Sequence, residues 1–152
     1  MTLDARFTHV NLIARDWRRL AEFYQHVFGC EPVPPERDLL GEWLDQATGV
    51  PNAHIRGMHL RLPGYGNAGP TLEVFQYDGE PEHPAPAVNR PGLGHTAFVV
   101  QDVQAAREAV LAAGGHDLGK LVTVEIPNAG AITFVYVTDP EGNIIELQHW
   151  AH

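Results

Sequence analysis

Two imidazoles and two carboxylates stand at matched places in this chain of 152 residues: His9 with His95, and Glu73 with Glu146. Such a set is the chemistry of a divalent-metal site, because mixed nitrogen and oxygen donors suit Zn, Ni, Co, Mn or Fe and leave positions for water or a substrate. A single strand histidine or glutamate would carry no such meaning, since most simply face solvent. The matching carries it. His9 is followed after seven residues by Asp16, and Asp16 after thirteen by Gly29; His95, Asp102 and Gly115 repeat both spacings. The remaining histidines with no counterpart, His26, His54, His83, His116, His149 and His152, are expected at the surface.

The elements that must position these residues also repeat. Phe7–Ile13 and Leu93–Val100 read as strands, each followed by a helical stretch whose apolar residues fall one, four, eight and eleven positions after the aspartate. That is the period of a helix with one buried face. Asp16 and Asp102 are expected as N-caps, with Gly29 and Gly115 as the stops. Each half closes on an acidic strand, Thr71–Tyr77 and Ile144–Trp150, after partner strands at Met58–Leu62 and Ala131–Val137. Asp139-Pro140-Glu141-Gly142-Asn143 reads as a hairpin turn. Each half is therefore β-α-β-β-β, within one domain over 1–152: a first module over about 5–78, a Pro-rich connector over 79–91 carrying Pro81, Pro84, Pro86 and Pro91, and a second module over about 92–150. Residues 41–53 are extra in the first half and fit no element. Strand alternation sends Val10, Leu12, Leu72, Val74, Phe98, Val100, Ile145 and Leu147 to one face, and His9, Glu73, Phe75, His95 and Glu146 to the other. The second face is expected to be a wet cavity.

Composition bounds the rest. A chain with 44% hydrophobic and 19% charged residues suits an ordinary globular protein. A formal charge of −9 argues against binding nucleic acid. No apolar run is long enough to span a membrane, and the first residues lack a secretory pattern. One cysteine, Cys30, excludes an intrachain disulfide, so a cytoplasmic location is expected.

Phe-Thr-His9-Val, Ala21-Glu22-Phe23-Tyr24, Val27-Phe28-Gly29, Leu72-Glu73-Val74, Gly94-His95-Thr96-Ala97-Phe98 and Asp139-Pro140-Glu141-Gly142-Asn143-Ile144-Ile145-Glu146-Leu147 together resemble the vicinal-oxygen-chelate superfamily. Its members include glyoxalase I, methylmalonyl-CoA epimerase, extradiol dioxygenases and the fosfomycin and bleomycin resistance proteins. The resemblance implies an α+β fold of two tandem βαβββ modules forming an open, cup-shaped mixed β-barrel with helices outside. It implies one divalent metal ion held by His9, Glu73, His95 and Glu146, and a small-molecule substrate with adjacent oxygens. A homodimer is the expected assembly. Four ligands of this kind match glyoxalase I and the epimerase, which move a proton next to a carbonyl. The expectation is a metal-dependent lyase or isomerase with Glu146 or Glu73 as the base. The alternatives are an Fe(II) extradiol-type dioxygenase and a small-molecule binding or resistance protein. Ile13 and Tyr77 stand where glyoxalase I carries an arginine and an asparagine for glutathione. His59 is a further catalytic candidate, because Leu60 and Leu62 take the apolar face and leave His59 and Arg61 toward the cavity.

Overall fold

Alternation of apolar and polar side chains sets β1 (His9–Ile13), where Leu12 is buried while His9 and Asn11 are exposed. The chain then turns into α1 (Trp17–Phe28), whose Asp16 cap accepts the Arg19 N–H at 3.1 Å and so satisfies a donor that the first turn leaves open. Gly29 ends it at φ 69°, with the Gly29 and Cys30 N–H groups donating to Gln25 and Tyr24 carbonyls. Trp17, Leu20, Ala21, Phe23 and Tyr24 form the buried face. The computed structural model describes residues 1–79 and 82–151, and the chain divides into two units, Met1–Glu82 and His83–His152. Pro81 of the connector and His152 lie outside the described residues.

In the first unit, β2 (Glu31–Leu40), β3 (His54–Arg61) and β4 (Thr71–Tyr77) join β1 in one sheet, ordered β1-β4-β3-β2. β1 runs parallel to β4, and the other pairs are antiparallel. β2 carries Pro32, Pro34 and Pro35, which an edge strand tolerates because one row of its N–H groups has no partner to lose. Its register shifts between Val33 and Arg37. Leu12, Leu20, Tyr24, Leu60, Leu72 and Val74 make the core between sheet and helix.

The extra residues of the first half form a short helix, α2 (Glu42–Thr48), ended by Gly49 at φ 71°. The Asp45 carboxylate accepts the N–H groups of Asn52 and Ala53 at 2.9 and 2.8 Å and ties the following loop back. Leu44 packs with Ala53, Ile55 and Phe75, flanked by Leu39 and Tyr77. Phe75 shares strand parity with Glu73, yet it is only 9% exposed. The polar face of this sheet is therefore not wet along its whole length. At one end α2 turns it into a small second core.

The second unit repeats the strand order: β5 (Thr96–Val99), β9 (Ile144–Ala151), β8 (Gly130–Thr138) and the two-residue β6 (His116–Asp117), with β7 (Val122–Ile126) also on β8. β6 and β7 lie along β8 as the two registered parts of β2 lie along β3, so one edge strand is broken in two. α3 (Val103–Ala112) is capped by Asp102, which accepts the Ala105 N–H at 2.9 Å. Its end differs from the expected stop. Ala113 is the C-cap and Gly114 takes φ 95°, while the Gly115 N–H donates to the Val110 carbonyl at 2.9 Å. Val103, Val110, Val135, Val137, Ile145 and Leu147 fill the core of this unit.

The β8–β9 turn is built on Asp139, which is fully buried. One carboxylate oxygen accepts the N–H groups of Glu141 and Asn143 at 2.9 and 3.0 Å, and the other accepts the Asn143 side-chain amide at 2.8 Å. Gly142 supplies φ 89°. A buried carboxylate is tolerated when fixed donors replace its water, which explains the Asp-Pro-x-Gly-Asn spacing ahead of Glu146.

Candidate metal centre

The first unit brings three donors together. His9 is exposed on β1, and His59 on β3 and Glu73 on β4 are half-buried. His59 Nε2 lies 2.8 Å from Glu73 Oε2, and His9 Nε2 lies 3.7 Å from Oε1. The two imidazoles meet edge to face with centroids 5.6 Å apart. One donor atom from each of the three residues falls within 4.8 Å of the others. Metal bonds of about 2.0–2.2 Å put ligand atoms at most about 4.4 Å apart, so small side-chain rotations suffice to close this set on an ion.

These donors are themselves held. Register places Glu73 between Asn11 on β1 and His59 on β3. The Asn11 amide donates to Glu73 Oε1 at 2.8 Å, and His59 Nδ1 lies 3.0 Å from the Thr71 hydroxyl. Burial, the larger effect, lowers the His59 pKa against the opposing pull of Glu73. A neutral imidazole is the form that binds metal, and its contact with Glu73 is then a hydrogen bond between a neutral ring and a carboxylate.

The second unit carries the matching pair, with His95 Nε2 2.9 Å from Glu146 Oε2. His95 precedes β5 rather than lying within it. Here Glu146 stands between Ala97 and Tyr136 in the register. Tyr136 packs edge-on against His95 at 5.2 Å between ring centroids. Burial first, and then the Glu146 charge, raise the Tyr136 pKa, so its phenol stays protonated and can donate a hydrogen bond. Sequence reading missed Tyr136. The signal was its parity: Tyr136 alternates with Val135 and Val137, which puts it on the Glu146 face.

Other candidates fall elsewhere. Arg61 donates to the carbonyls of Asn67 and Gly69 at the end of its own sheet. His26, His83, His116 and His149 are exposed. His54 is half-buried, with Nε2 2.5 Å from Asp38 and Nδ1 3.2 Å from Asp78. The Asp38 hydrogen bond is the main cause of its raised pKa. Burial pushes the Cys30 thiol up to about 12, so it is inert at neutral pH.

A family model for the Glyoxalase/Bleomycin resistance protein/Dioxygenase superfamily matches residues 6–147, and the chain belongs to that superfamily. A search of curated proteins returned no match. Among solved structures the chain is similar to a glyoxalase family protein from Bacillus cereus, with TM-score 0.78, 16% identity, and 99% of this chain and 97% of that one covered. A protein of the mobile metagenome of V. Pseudocholerae aligns with TM-score 0.58 at 23% identity over 100% and 99% of the two chains. A variant of the fosfomycin resistance protein FosX from Listeria monocytogenes, in complex with Mn(II) and 1S,2S-dihydroxypropylphosphonic acid, aligns with TM-score 0.51 at 18% identity over 95% and 92%. At these identities the likeness concerns the fold.

Proposed function

We propose that the protein is a divalent-metal-dependent lyase or isomerase that moves a proton next to the carbonyl of a small α-oxygenated substrate. The observation that carries this reading is the paired arrangement of a histidine against a glutamate in both units, His9 with Glu73 and His95 with Glu146. In the reading, all four are ligands of one ion, within a single domain whose modules cover about 5–78 and 92–150. A bound divalent ion supplies Lewis-acid polarisation of the substrate carbonyl, which lowers the pKa of the adjacent C–H.

The chain's own residues then divide the remaining work. Glu73 is fixed by the Asn11 amide and the His59 ring, which suits a carboxylate that stays in place. Glu146 faces Ala97 where Glu73 faces Asn11, so that strand offers it no corresponding amide. It is therefore the carboxylate assigned as general base. Tyr136, a protonated phenol beside His95, is placed to donate to a substrate oxygen. Tyr77 packs into the Leu44 cluster and Ile13 is exposed, so neither offers the polar contacts glutathione requires. A small substrate without a tripeptide suits these residues better. A homodimer in the cytoplasm is the accompanying proposal.

One specific feature favours a second reading. Two histidines and one carboxylate, as in His9, His59 and Glu73, are also the composition of non-haem Fe(II) oxygenase sites. The experiment that separates the two supplies purified protein with metal and follows, by NMR, deuterium exchange next to the carbonyl in hydroxyketones and dicarbonyls. Oxygen uptake with catechols is measured in parallel. Exchange without oxygen uptake supports the lyase or isomerase reading. Oxygen uptake with ring cleavage overturns it in favour of the dioxygenase. Metal binding with neither reaction leaves a binding or resistance protein.

A further inference from the structure

Each unit sets a histidine near a glutamate, at 3.7 Å in the first and 2.9 Å in the second, and their surroundings differ at three matched places. Where Glu73 pairs with His59 across the antiparallel ladder, Glu146 pairs with Tyr136. Where Glu73 pairs with Asn11 across the parallel ladder, Glu146 pairs with Ala97. Two residues before Glu73 stands Thr71, whose hydroxyl meets His59; two before Glu146 stands Ile144. Every one of these differences adds a donor, or a group that orients a donor, to the first unit.

We infer that the first unit carries a complete metal site of its own, with His59 as the third ligand beside His9 and Glu73, while the described residues of the second unit bring together His95 and Glu146 alone. This rests on the metal-dependent reading above and adds to it a third ligand, so that the first unit holds an ion without His95 or Glu146.

Three protein ligands plus water are enough for a catalytic zinc site, whereas two leave the ion mostly solvated. His59 has the support that metal-bound histidines need. Its Nδ1 meets a hydroxyl, which can donate or accept. Without metal, Nε2–H donates to Glu73 while Nδ1 accepts from Thr71. His59 would hold a bound ion through its Nε2 lone pair, with the ring proton on Nδ1 donating to the Thr71 oxygen. Glu73 likewise keeps Oε1 on the Asn11 amide and offers Oε2, the oxygen nearest His59. Tyr136, the register counterpart of His59, packs edge-on against His95 and offers no imidazole nitrogen. With a third ligand in the first unit, Glu146 is not needed to hold the ion and is free to act as a base.

The test uses full-length protein and Co(II), whose visible absorption reports coordination, with equilibrium dialysis against Zn(II) for stoichiometry. The His95→Ala/Glu146→Ala variant is expected to retain one ion per chain. Adding His59→Ala to it should abolish binding, and the His9→Ala/Glu73→Ala variant should bind none. Thr71→Val is expected to lower affinity roughly 10–100-fold, the usual effect of losing a group that orients a ligand. Circular dichroism of each metal-free variant establishes that it is folded, and His95→Gln/Glu146→Gln replaces the alanine pair if it is not. Binding by wild type but not by the folded His95/Glu146 variants overturns the inference and leaves the four-ligand reading standing. So does binding by those variants that survives His59→Ala. Absence of binding by wild type overturns both.

Discussion

Glu73 and Glu146 occupy the same position in sheets of the same strand order, and their neighbours set them apart. Glu73 is held by Asn11 and His59, while Glu146 meets His95. Glu146→Gln should keep much of the metal, since an amide oxygen can still coordinate, yet lose the general-base contribution of roughly 10²–10⁴ in rate. Glu73→Gln should cost less in rate. Equal rates in wild type and Glu146→Gln would remove Glu146 from the chemistry. His54 gives a separate prediction. Its raised pKa, from Asp38 first and Asp78 after it, stabilises the folded state fully below the unfolded value of about 6.5; that contribution is lost as pH rises through the folded value. NMR titration should place the His54 midpoint above the ordinary one, and Asp38→Asn should bring it down. A wild-type midpoint at or below the ordinary value would contradict the paired geometry. The pairing of His9 with Glu73 and of His95 with Glu146 was legible because it repeats. Tyr136 was not, because its counterpart is a histidine and no repetition marks it.

The elements explain which residues reach the site. β4 and β9 were readable as alternating strands, and both helices from their caps and apolar spacing. β2 was not, because Pro32, Pro34 and Pro35 argue against a strand unless its edge position is known. α2 was hidden for another reason: it is seven residues long, and its N-cap, Gly41, makes no side-chain hydrogen bond. Its role appears only in three dimensions, where Leu44 covers Phe75 and Ile55. Two substitutions test this architecture. A Cβ on Gly57 would fall 2.0 Å from the Val74 carbonyl oxygen and 2.8 Å from the Phe75 ring. Gly57→Ala is therefore expected to destabilise by ~1–3 kcal/mol, as overpacking does, and denaturant unfolding that matches wild type would contradict the close approach. Asp139→Ala leaves the Glu141 and Asn143 donors without their acceptor, at a cost of about 1–3 kcal/mol. Because the same turn leads into the strand of Glu146, that variant should also slow proton transfer.

For the whole molecule, membership of the superfamily follows from a match over nearly the full chain. Among the described residues no helix is long and apolar enough to cross a membrane. With Ile13 and Tyr77 where glyoxalase I carries an arginine and an asparagine, the glutathione hemithioacetal is expected to be a poor substrate, with kcat/KM below the ordinary enzyme range of ~10⁴ M⁻¹s⁻¹ and above; a value within that range would restore a glyoxalase I activity. Metal-dependent proton transfer is read out by NMR-detected deuterium exchange at the carbon next to the carbonyl. The substrate panel is presented to metal-loaded protein, chelator-treated protein and the Glu146→Gln variant side by side. Exchange is expected in the first, none above background in the second, and a loss of roughly 10²–10⁴ in the third. Metal-loaded protein that exchanges no substrate in the panel, or exchange that persists unchanged without metal, would contradict metal-dependent proton transfer.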